Sequence, residues 1–254
     1  MYRGIVPVTA HHAQSISFFL DAFTEGNQIV QVGQEAPTAT RTETNLTEVL
    51  GGSRRLDLSL VNQSGTAGQR ATARFITHIP DGGLALDNAS EGHSLVRLRY
   101  DANGQGLNQM RDDQGHRLGN WLAGKYHVDG FQVLVKALDA RLKLVLSLED
   151  SQGAIVSATR TAIPHGESSL WIDNPIWTPR HVALFRMAEL LRNHPEFRLD
   201  SVFAVELWLV GHPAMTARLA HLAATVSTPP PAALALLSLS LLMLNTPRRY
   251  AWRV

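Results

Sequence analysis

RLKLVLSLED, residues 141–150, places Leu142, Leu144, Leu146 and Leu148 at every second position. Side chains of a strand point alternately to its two faces, so the stretch reads as a strand with one face buried and one wet. The same period recurs on both sides of it. RRLDLSLVNQ (54–63) carries Leu56, Leu58 and Leu60, and DGFQVLVKAL (129–138) carries Phe131, Val133 and Val135. FAVELWLVG (203–211) carries Phe203, Val205, Leu207 and Leu209. Turn signals separate these runs at Gly51-Gly52, Gly65 to Gly68, Asp81-Gly82-Gly83, Asp101 to Gly106, Asp150 to Gly153, His165-Gly166 and Gly211 to Pro213. Short alternating strands at such spacing predict an all-β fold, an antiparallel two-sheet β-sandwich of jelly-roll-like type with eight or more strands over residues 15–226.

Two stretches depart from period two. RHVALFRMAELLRN (180–193) sets Val182, Phe185, Leu190 and Leu191 around Ala183 and Ala188, which predicts one short helix over residues 182–192, begun after Pro179 and ended by Asn193 and Pro195. LTEVLGG (46–52) leaves a helical turn and a strand entry both open. No repeat and no long internal linker divides the body, so one domain is expected.

Composition narrows the function. The chain has 254 residues, 44% of them hydrophobic, and a formal net charge of +1. With the tail arginines Arg248, Arg249 and Arg253 set aside, the 23 basic residues fall to 20 against 22 acidic ones, so no basic face marks a nucleic-acid partner. Absence of cysteine excludes disulfides, thiolate metal sites and a cysteine nucleophile.

No G-x-S-x-G, H-E-x-x-H, P-loop or G-x-G-x-x-G is present, so the residues predict no catalytic group, no metal centre and no cofactor. DANGQGLNQMRD (101–112) sets Asp101, Asn103, Gln105, Gly106 and Asp112 at the oxygen-ligand positions of a calcium loop, but Gln105 and Asp112 depart from the pattern and a strand precedes it. Gly51, Gly52, Ser53 and Arg54 invite an anion-loop reading. The structural one is preferred: a positive-φ turn into a strand, with Arg54 or Arg55 covering a sheet edge by its charge. Trp121, Trp171, Trp177 and Trp208 are candidate platforms for sugar rings as well as core residues, and Trp208 falls on the face opposite Leu207 and Leu209.

The two ends differ from the body. Residues 1–14 hold Arg3 and an Ala-His-His-Ala stretch without the apolar segment of a signal, and read as a tail or as the remnant of a signal peptide. STPPPAALALLSLSLLMLNTPRRYAWRV (227–254) sets a linker with Pro229, Pro230 and Pro231 before the apolar run 232–244, then Arg248 and Arg249. A proline triplet favours a stiff, extended spacer. The run behind it has no polar face, so a short apolar helix associated with a membrane is expected, its basic end on the cytoplasmic side.

That order of proline motif, apolar segment and arginine cluster resembles the PEP-CTERM sorting signal of Gram-negative bacteria, with proline standing where the family has glutamate. Within the body, FFLDAFTEGNQIV (18–30), VLGGSRRLDL (49–58), VDGFQVLVKALDARLKLVLSLEDSQGA (128–154) and FRLDSVFAVELWLVG (197–211) are similar to segments of that family. The resemblance implies an exported protein held transiently in the membrane by residues 232–254 and processed by an exosortase-type membrane protease near Pro229 to Pro231. It also implies a central hairpin over 128–154, and a body of unknown activity at the cell surface or outside it. The rival expectations are a carbohydrate-binding module of an exopolysaccharide matrix and a hydrolase with a carboxylate pair that sequence cannot reveal. A pair of exposed, coplanar tryptophans would favour the first, and two carboxyls in one cleft, about 5–9.5 Å apart, the second.

Overall fold

A computed structural model describes residues 15–26, 29–61, 70–76, 83–89, 92–110, 128–164 and 181–227. The chain divides into two units, Ser17–Val226 and the two termini, and the first is the domain described here. In chain order its strands are β1 (Ser15–Asp21), β2 (Ile29–Gly33), β3 (Thr38–Thr44), β4 (Ser53–Leu60), β5 (Arg70–Ile76), β6 (Gly83–Asn88) and β7 (Ser94–Tyr100). There follow β8 (Val128–Leu138), β9 (Leu142–Asp150), β10 (Ile155–Ala162), β11 (His181–Arg186), the single-turn helix α1 (Met187–Leu190), β12 (Val202–Gly211) and β13 (Thr216–Ser227).

They form two sheets. The first runs β11-β8-β13-β6-β5-β2 with β1 also on β13, and the second runs β10-β9-β12-β7-β4-β3. Every ladder along both paths is antiparallel. The chain crosses repeatedly from one sheet to the other, as in a jelly roll. The predicted sandwich is therefore present.

Period two explains the core. Leu142, Leu144, Leu146 and Leu148 of β9 are fully buried, and so are Leu207 and Leu209 of β12, Val96 and Leu98 of β7, and Leu56 and Leu58 of β4. The first sheet answers with Phe131, Val133 and Val135 of β8, Leu219 and Leu222 of β13, and Leu84 and Leu86 of β6. Each such side chain contributes about 1.5–3 kcal/mol relative to leaving it in water. The edge strand β3 keeps Arg41, opposite Leu56 on its inward side, exposed; a charge there blocks pairing with another chain.

Three expectations need correction. Residues 182–186, expected to be helical, lie in strand β11, which pairs with β8 from His181↔Val135 to Arg186↔Gly130. The open edge of β8 supplies a full ladder, and Ala183, Phe185 and Met187 then fall on one side while Val182, Leu184 and Arg186 are exposed. Only α1 remains of the predicted helix. The expected central hairpin is also absent, because β8 and β9 lie in different sheets; the hairpin is β9–β10, closed at Asp150 to Gly153. Asp150 holds that turn by accepting from the backbone N–H groups of Gln152 and Ala154, both at 2.9 Å. Finally, Phe203 does not continue the inward row of Val205. A bulge between Val202 and Ala204 makes Phe203 the extra residue, and its ring lies 5.9 Å from the Arg99 guanidinium.

Residues 46–52 resolve into a 3₁₀ turn, Leu50–Gly52, with Gly51 and Gly52 at φ 80° and 67°. The positive φ is what the pair of glycines supplies.

Candidate functional site

The outward faces of the second sheet form registered rows. One runs Thr159–Val145–Trp208–Arg97–Asp57–Thr40, and the next runs Ser157–Ser147–Glu206–Arg99–Arg55–Thr42. On the other side of the tryptophan row lies Thr161–Lys143–Val210–Leu95–Ser59–Thr38. Polar residues dominate these rows, yet the part over β9 and β12 is apolar. There Trp208, Val145, Val210, Leu95 and Ile155 line an open depression of about 310 Å³, rimmed by Lys143, Ser147, Glu149 and Glu206.

Trp208 is half-buried and its indole is fixed. The Arg97 guanidinium lies over the ring at 5.0 Å from its centroid, and Nε1–H donates to Glu206 Oε2 at 3.0 Å. Stacking of this kind contributes about 0.5–1 kcal/mol at an exposed site. Glu206 in turn accepts from Arg97 Nη2 and from Arg99 Nη1, while Arg99 also donates to Glu149 at 2.7 Å and to Asp101 at 2.8 Å. Asp57 accepts from Arg55 Nε at 2.9 Å and from Thr40 at 2.7 Å. The face thus carries a lattice of paired charges with one aromatic plate set into it.

This lattice bears on the choice between binding and hydrolysis. Glu149 and Glu206 both rim the depression and share one Arg99 nitrogen, so two carboxylates do stand in one cleft. Glycoside hydrolysis needs one of the two to hold a proton. Burial alone would push the Glu206 carboxyl up, but the hydrogen bonds from Arg97 and Arg99 outweigh it and hold Glu206 below the usual carboxylate range. An ionised, doubly clamped carboxylate is a poor general acid. It is a good fixed acceptor for a hydroxyl.

The other candidates go elsewhere. Asp101 is already engaged, accepting from Gly104 N–H at 2.9 Å and from Arg99, and Asp112 lies outside the described residues. No group of three His, Asp or Glu gathers to hold a cation among the described residues. The Gly52 N–H donates to Val49 O at 2.8 Å, so the Gly51–Gly52 turn closes on itself rather than on an anion. In the wider groove beside that turn, about 1290 Å³, Thr24 donates to Glu48 and Thr47 to Glu25. Neither Arg54 nor Arg55 covers an edge, because β4 runs between β7 and β3; Arg55 is exposed beside Asp57, and Arg54 is sealed in the interior against Asp21. Trp121, Trp171 and Trp177, and Pro229, Pro230, Pro231, Arg248 and Arg249 of the expected sorting motif, lie outside the described residues. No helix among the described residues is long and apolar enough to cross a membrane.

Sequence alternation placed Trp208 on the wet face. It did not place Arg97, Glu206 and Lys143 around it, because that requires the register of three strands. The one usable signal was parity, since all these residues lie out of phase with the buried leucines of their own strands.

No family model matches the chain, and no curated protein matches it. Among solved structures it is similar to the family 11 carbohydrate-binding module of the cellulosomal cellulase Lic26A-Cel5E of Clostridium thermocellum, at 7% identity and a TM-score of 0.39, covering 84% of this chain and 95% of that one. It is also similar to the family 30 carbohydrate-binding module of cellulosomal cellulase Cel9D-Cel44B of Clostridium thermocellum, at 10% identity and a TM-score of 0.37, covering 80% and 99%. The agarase AgWH50C matches at 15% identity and a TM-score of 0.35 over 68% of this chain and 22% of that one.

Proposed function

We propose that residues 15–226 form a non-catalytic module that binds polysaccharide on the outer face of the second sheet. The observation that carries this is Trp208, an indole held in place in an open apolar depression on an otherwise polar face. A pyranose ring has one C–H-rich face and a belt of hydroxyls. The former suits an indole flanked by Val145 and Val210, and the latter suits Glu206, Glu149 and Ser147 at the rim. Because Arg97 and Glu206 already order the ring, little side-chain freedom is left to lose on binding. Affinity electrophoresis in gels containing neutral and acidic polysaccharides tests the proposal. Retardation in at least one gel that disappears in Trp208→Ala is expected. Equal mobility of a folded Trp208→Ala variant and the wild type in every gel overturns it.

The sequence of residues 227–254 supports delivery of this module to the cell surface. Export, transient retention in the membrane and exosortase-type processing near Pro229 to Pro231 would bring the binding face to an exopolysaccharide matrix. Mass spectrometry of the native protein reads this directly: an extracellular form ending near the prolines is expected, and an intact cytosolic form ending at Val254 refutes it.

A further inference from the structure

We propose that the glycan bound at Trp208 is acidic, with one of its carboxylates set against Lys143; this rests on the glycan-binding reading above. Three observations lead there. Lys143 rims the depression, is exposed, and makes no ion pair with any of the described residues. Its row holds Thr161, Val210, Leu95, Ser59 and Thr38, with no acid to answer it. Meanwhile the carboxylates of the same rim, Glu149 and Glu206, are engaged by Arg99 and Arg97, which offset part of their charge, and neither pairs with the lysine.

Geometry gives the ligand a direction. Lys143 and Glu149 mark the two ends of the outward row of β9, six residues or about 20 Å apart. A chain of sugar rings laid along β9 and β12 rests its apolar faces on Val210, Val145 and Trp208 in turn. Its hydroxyls reach Ser147 and the clamped Glu206 at one end, and its carboxylate reaches the lysine at the other. A neutral glycan fills the same floor and leaves Lys143 in water, so the lysine separates acidic from neutral chains without being needed for binding itself.

Two matched pairs of polymers test this: a galacturonan as free acid and as its methyl ester, and carboxymethylcellulose against hydroxyethylcellulose. Binding of the wild-type chain to the charged member up to about fivefold more tightly at low ionic strength is expected, the upper end of the range for one partly exposed ion pair. The preference should vanish at high salt and in Lys143→Ala, and survive in Lys143→Arg. Trp208→Ala should lose both members of the pair that binds. Equal binding of charged and neutral members, or a preference that Lys143→Ala retains, overturns the acidic assignment and leaves glycan binding standing. No binding to any of the four polymers overturns both.

Discussion

Arg54 Nη1 donates to Asp21 Oδ2 at 2.6 Å, and both side chains are sealed from solvent. The pair ties β4 to the end of β1, and it is not alone. Tyr100 donates its hydroxyl to the same Asp21 oxygen at 3.0 Å, while Arg54 Nη2 reaches Glu43 and the carbonyl of Glu25, both at 2.8 Å. Asp21 Oδ1 accepts from the N–H of Phe23, whose ring is buried although its φ is +55°. Burial pushes the Asp21 carboxyl up, against the opposing pull of Arg54. One guanidinium therefore fixes the segment 21–26 over the end of the sandwich.

Removing that guanidinium strands a carboxylate in the core. Arg54→Met should cost about 3–5 kcal/mol in urea unfolding, the range for breaking a buried pair by one partner. Replacing both residues, as in Arg54→Met with Asp21→Leu, should recover part of the loss. A single variant within about 1 kcal/mol of wild type would show that the pair is dispensable.

Gly26 lies against the same cluster at φ +87°. A Cβ there would sit 2.1 Å from Glu43 Oε2 and 2.8 Å from Arg54 Nη2. Gly26→Ala adds left-handed strain to that clash, together about 2 kcal/mol or more, which lowers Tm by about 4–8 °C for a domain of this size. An unchanged melting curve would mean that Glu43 swings away freely.

The partition of these residues shows what was legible. Arg54 shares the parity of Leu56, Leu58 and Leu60, so the alternation that identified β4 already pointed Arg54 inward. Its charge argued for an edge and prevailed wrongly, because Asp21, the partner that makes burial tolerable, is 33 positions away. β11 failed for a related reason. Its helical spacing was real, but the open ladder of β8 lay far along the chain. Parity within a strand could be read from local sequence; pairing between strands could not.

Glu206 gives the domain a pH dependence that can be isolated. Its carboxyl is held below the ordinary value, so the stabilisation it provides is fully present above about pH 4.5 and is lost as pH falls through the depressed folded value. Glu206→Gln should therefore be less stable than wild type at neutral pH, and the gap should close on acidification. Glu25 and Glu189, also held low, act in both proteins and cancel from the difference. Urea midpoints measured from pH 7 to pH 3 decide it, and a gap that stays constant counts against the clamp.

Neighbouring positions on β9 offer the sharpest contrast. Leu144 is fully buried between the sheets, whereas Lys143 stands exposed on the outer face. Leu144→Ala removes buried methyl groups that the surrounding leucines cannot replace without moving, and should cost about 2–5 kcal/mol. Lys143→Ala touches no packed atom and should stay within about 0.5 kcal/mol of wild type. Denaturation of the two variants side by side measures both. If Lys143→Ala proved the costlier, the register of β9 would be wrong by one residue, and every side chain assigned to the depression would belong to the core instead.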